Sequence, residues 1–115
     1  MQEQHAAQLY TQSVVLVIQK RAVYTVECGN DLVALYGPLG GALPLWPTKS
    51  DANFFISRHW PGLRPHRMTL HQLIMRLPIF SVQSIPIGVG LAGYPEALIL
   101  TAMRLYDDLS AGHVA

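Results

Sequence analysis

The chain has 115 residues, enough for one domain with a real core and too few for two, and it combines 50% hydrophobic with only 13% charged residues at a formal net charge of +1. A near-neutral balance gives no global electrostatic case for nucleic acid, and the single cysteine, Cys28, excludes an internal disulfide framework and a cysteine zinc cluster. So little charge leaves two readings: apolar surface that faces another protein chain, a partner or a second copy, or a compact monomer coated by Gln, Ser, Thr, His and Pro.

The opening Met-Gln-Glu-Gln-His lacks the basic start and cleavage signal of a secretory peptide. No apolar run reaches bilayer length, so we expect no membrane span and a cytoplasmic location. Residues 3–19 read as a helix, with Ala6, Leu9, Tyr10, Val14, Val17 and Ile18 on one broad face. Val14 to Ile18 would read as a strand if it stood alone, but Lys20 and Arg21 suit a helix C-terminus through the dipole.

Residues 22–28 and 31–36 alternate as strands, and the intervening Gly29-Asn30 is the glycine-first loop of a tight antiparallel hairpin. Cys28 reads as a small hydrophobe at the end of the first of them. Gly37-Pro38-Leu39-Gly40-Gly41 turns the chain into 42–46, expected as the third strand of a meander. Pro44 lacks an amide proton, so that strand belongs on an edge or at a bulge, incompletely paired.

Pro47 disfavours the α region at Trp46, so the chain arrives extended, and Thr48 or Ser50 caps the helix that follows. Thr48 with Asp51 forms a loose capping box. The helix over 50–59 turns Ala52, Phe55, Ile56 and Trp60 toward the sheet and ends at Pro61-Gly62. After a short strand over 63–68, Thr69-Leu70-His71-Gln72 is a capping box for a helix running through Leu77 to a break at Pro78. Leu70, Leu73, Ile74 and Leu77 form its core stripe.

Residues 85–92 read as a buried strand interrupted by Pro86, Gly88 and Gly90, whose glycines admit a close backbone or mark a bulge. Gly93-Tyr94-Pro95 turns the chain. Residues 97–100 are a short strand or already helix, 101–109 a helix with Met103 and Leu105 or Tyr106 inward, and 110–115 a frayed tail. The fold class is α+β: an antiparallel sheet that starts as a meander, with three to four helices packed on it, in a single domain over 1–115.

This order of elements is shared with a known family. Leu43-Pro44-Leu45-Trp46-Pro47 before a capped helix with Ala52 and Phe55, then Trp60, Thr69-Leu70 opening another helix, and a strand containing Gly88 resemble the small bacterial proteins of domain of unknown function family 2750. The likeness spans most of the chain, and its most specific part is the Leu-Pro-Leu-Trp-Pro segment. This sequence has fewer acids around its helices and a less charged hairpin than the family's usual pattern. The resemblance implies a compact cytoplasmic α+β domain and carries over no catalytic residue.

The residues with chemistry to offer form no known constellation. His59, His66 and His71 match neither the helical zinc spacing nor a finger pattern, so we expect no metal. No local signature supports Cys28, Ser57 or Ser81 as a nucleophile. Gly88-Val89-Gly90-Leu91-Ala92-Gly93 spells a dinucleotide spacing, but Tyr94-Pro95 stands where a helix would have to begin. No cofactor is expected.

What remains is a surface. A helix does not easily bury both Phe54 and Phe55, which makes Phe54 an exposed anchor, and Trp60 beside Arg58 and His59 has the composition of a binding hot spot. Trp60 reads equally well as the residue that closes the core after the helix. With Arg64 and Arg67 these residues form the candidate partner-binding set. The reading is a non-catalytic protein-binding module, most simply a cytoplasmic immunity or antitoxin-like protein that neutralises a toxin by covering it.

Inhibitors that mimic a nuclease's substrate are acidic and this chain is not, so its partner would offer an acidic or apolar surface. The alternative is a regulatory protein that binds a small molecule or nucleotide through the acid-free segment 58–76, in a pocket lined by Arg64, His66 and Arg67. An enzyme ranks below both.

Overall fold

The computed structural model describes residues 2–28, 31–32, 41–90 and 97–114. In chain order the elements are α1 (Gln2–Lys20), β1 (Ala22–Cys28), β2 (Asp31–Leu32), β3 (Leu43–Leu45), α2 (Lys49–His59), β4 (Arg64–Thr69), α3 (Leu70–Val82), β5 (Ile87–Gly90), β6 (Ala97–Leu100) and α4 (Ala102–Val114), an α+β fold. The hairpin turn at Gly29-Asn30, the second strand beyond Leu32, the turn over 37–40 and the turn at Gly93-Tyr94-Pro95 lie outside the described residues.

The meander begins as expected, with β1 and β2 antiparallel, but β3 does not continue it. It pairs in parallel with β5, which in turn pairs antiparallel with β6, while β1 takes β4 on its other edge. Among the described residues, the two three-stranded sheets, β2-β1-β4 and β3-β5-β6, meet at one antiparallel bridge, Tyr24 with Trp46.

Pro44 explains why the seam is so short. Along β3, Leu43 donates its N–H to the Pro86 carbonyl on the β5 side at 2.9 Å, and Trp46 exchanges both backbone bonds with Tyr24 on the β1 side, at 2.7 and 2.9 Å. Pro44 faces β1 with a carbonyl and no N–H. That carbonyl is met by a side chain, the Thr25 hydroxyl, which donates to it at 2.6 Å in full burial. The expected incomplete pairing of this strand is seen, at the edge of its sheet, where an isolated bridge reaches β1.

Strand alternation divides the core. Val23 of β1 joins Leu43, Leu45, Met68, Ile87, Val89 and Leu100 under α1, α3 and α4. Val26, on the opposite face, joins Ala42, Trp46, Ala52, Phe55 and Ile56 under α2. The chain is therefore layered, with three helices on one face of the strands and α2 on the other.

Among the described side chains of α1, Tyr10, Ser13 and Val17 are buried, with Leu9, Val14 and Ile18 packed beside them, which matches the expected face with Ser13 added; Ala6 of that face lies outside the described side chains. Arg21 takes a left-handed conformation, φ 52°, to reverse the chain into β1. The capping box of α3 is complete: Gln72 N–H donates to Thr69 Oγ1 at 3.1 Å, and Thr69 N–H donates to Gln72 Oε1 at 3.0 Å.

Pro78 does not end α3, which continues to Val82. A mid-helix proline forfeits one backbone bond and costs about 3 kcal/mol. Leu77, fully buried, and Phe80, packed against the same cluster, hold the chain to the core on both sides of it. The helix stops later, in a Schellman motif where Ile85 N–H bonds Phe80 O and Ser84 N–H bonds Ser81 O, with Ser84 at φ 57°.

Two expectations about the last helix are corrected. α4 runs to Val114 rather than ending at Leu109, and Met103 is exposed while Ala102, Leu105 and Leu109 point inward. The register is set at Thr101, whose hydroxyl accepts the Arg104 N–H at 3.2 Å, so the inward stripe falls at 102, 105 and 109.

Candidate interaction surface

α2 is built as its sequence dictates. Thr48 sits in an extended conformation, its Oγ1 accepting the Asp51 N–H at 3.1 Å and its hydroxyl donating to Asp51 Oδ2 at 2.9 Å. Asp51 also favours the helix N-terminus electrostatically. Ala52, Phe55 and Ile56 form the buried stripe, and Gly62, at φ +98°, turns the chain away beyond Trp60.

Burying Phe55 turns Phe54 outward, where it is 52% exposed. Arg58, one turn on, lays its guanidinium over that ring 4.5 Å from the centroid, a cation–π contact that holds both side chains in one place. Beneath them runs an aromatic series: Trp46 to Phe55 at 5.4 Å, Phe55 to His59 at 4.3 Å, and Phe55 to Trp60 at 5.2 Å. Trp60 is the C-cap, its N–H bonded to Ile56 O at 2.8 Å, and its half-buried ring packs on the α2 cluster. It packs against the core and stays part-exposed.

The strand register decides which arginines join this surface. Arg67 lies opposite Tyr24, on the α2 face, whereas Arg64 and His66 lie opposite Glu27 and Thr25, on the other face. Arg76 is exposed on α3, in the three-helix layer. The acid-free segment is thus spread over both faces, with Arg67 of β4 on the side opposite to Arg64 and His66.

Other sequence features find structural explanations. Gly90, in the dinucleotide-like spacing, leaves room for a side chain: a Cβ there would run into Cδ1 and Nε1 of Trp46. Leu91, Ala92 and Gly93 of that spacing lie outside the described residues. His59, His66 and His71 stand on α2, β4 and α3, and among the described residues no three of His, Cys, Asp and Glu gather as a metal would require. No described helix is long and apolar enough to cross a membrane.

One polar site had no sequence signal, because it joins residues 98 positions apart. The Tyr10 hydroxyl of α1 donates to Asp108 Oδ2 of α4 at 2.6 Å, and the Arg104 guanidinium stands 5.7 Å from the Tyr10 ring centroid. Burial, with the bond to Asp108, holds the Tyr10 phenol well above its ordinary pKa. These groups sit in a groove of about 410 Å³ whose α1 wall is Val14, Val15 and Ile18.

No protein-family model matches the chain, and no significant similarity to a curated protein or to a solved structure was found.

Proposed function

We propose that this chain is a non-catalytic protein-binding module of the immunity or antitoxin kind, acting in the cytoplasm by covering a partner toxin with its α2 face. The observation that carries the reading is Phe54, a large apolar ring left exposed on a well-capped helix and held in place by Arg58. Aromatic and arginine anchors fixed in advance lose little entropy on binding, and such residues dominate interface energetics. His59 and Arg67 extend the surface and the part-exposed Trp60 borders it, so the matching partner surface is apolar with carboxylates at its rim. The chain's likeness to domain of unknown function family 2750 belongs to this proposal and adds no activity to it.

The test is a pull-down of the tagged protein from its native cells, followed by binding measurements on the recovered partner. A stoichiometric protein whose affinity falls at least about 30-fold with the double substitution Phe54→Ala and Arg58→Ala supports the reading. Both side chains lie outside the core, so the variant folds. Unchanged binding by the folded variant removes this face, and recovery of the protein alone removes the toxin-neutralising role.

A further inference from the structure

The groove between α1 and α4 carries two opposite charges one helical turn apart, Arg104 and Asp108, and no ion pair joins them among the described residues. Tyr10 fixes both. Its hydroxyl, itself in a residue only 5% exposed, engages Asp108 Oδ2 and leaves Oδ1 for another donor, while its ring lies under the Arg104 guanidinium. Facing them, α1 presents Val14, Val15 and Ile18, and Val15 is 44% exposed.

We propose that this groove binds a free α-amino acid with an apolar side chain: the carboxylate on Arg104, the ammonium on Asp108, and the side chain against Val14, Val15 and Ile18. Charge selects the class. A purely anionic amphiphile meets the Asp108 carboxylate and a purely cationic one meets Arg104, whereas an amino acid carries both signs on one carbon and satisfies both groups. A planar guanidinium takes a carboxylate through two parallel bonds. The volume, about 410 Å³, falls within the range of small-molecule sites, and a few placed polar groups beside an apolar wall are their usual make-up. The α2 face takes no part, so this inference stands or falls separately from the proposed protein partner.

Isothermal titration calorimetry of the full chain with L-leucine, L-isoleucine, L-methionine and L-phenylalanine tests it. Saturable binding is expected, weakened at least about tenfold for N-acetyl-L-leucine and L-leucinamide, each of which lacks one charge. Asp108→Asn keeps an acceptor for Tyr10 but removes the charge, and it should weaken L-leucine binding by a similar factor; Val15→Trp should block the groove. No saturable heat from any of the four amino acids at millimolar concentration overturns the proposal. So does binding that folded Arg104→Gln and Asp108→Asn variants leave unchanged.

Discussion

At Gly90 a missing side chain decides the packing of the largest one in the core. The Trp46 indole occupies the space a Cβ would need, and Trp46 is itself held by its backbone bridge to Tyr24 and by Phe55. Gly90→Ala is therefore expected to cost about 1–3 kcal/mol in urea unfolding, with part recovered when Trp46→Phe is added. Tyr10 offers a second test at this scale. Its folded pKa is raised, so the stability it contributes is complete below the unfolded value, about 10, and is lost as pH climbs beyond it. Above about pH 10 the wild type should lose stability more steeply than Tyr10→Phe, whereas near neutrality that variant should be less stable by about 1.5–3 kcal/mol, the usual worth of a hydrogen bond to a charged group such as the Asp108 carboxylate.

Among the elements, β3 shows how a proline is used at the seam between two sheets. It pairs with β5 on one side, and toward β1 Pro44 offers a carbonyl and no N–H, the carbonyl being met by the Thr25 hydroxyl. Thr25→Val keeps the shape and removes the donor, leaving a buried carbonyl unsatisfied, so it should cost about 1–3 kcal/mol by denaturant titration, with Thr25→Ser closer to wild type. The capping residues were legible beforehand because a cap is a local contract: Thr69 with Gln72 and Thr48 with Asp51 act within one turn. Pro78 misled for the opposite reason. Its cost is local and readable, but the burial of Leu77 and Phe80 that outweighs it belongs to the packed core.

For the whole molecule, the two apolar clusters share β1, which sends Val23 to one and Val26 to the other. A shared strand couples the layers, so unfolding is expected to be a single transition. Trp46 and Trp60 both report on the α2 side, while three of the four described helices lie on the other. Urea curves followed by tryptophan fluorescence and by far-UV circular dichroism should coincide; an earlier fluorescence change would mean that the α2 layer opens alone. The candidate α2 surface was partly legible, since adjacent phenylalanines on one helix cannot share a buried stripe. The grouping of arginines was not, because sequence proximity in a strand places neighbours on opposite faces, as with His66 and Arg67.

Periodicity and caps were enough to place where the helices begin, most of the described strand positions and the exposure of Phe54, because each depends on side chains within a few positions of one another; they missed where α3 and α4 end and which face α4 buries. Tertiary structure alone decided that β3 joins β5 in parallel, that Gly90 makes room for Trp46, and that Tyr10 meets Asp108 and Arg104 in one groove. These contacts depend on how distant segments fill one volume, and no local pattern carries that information.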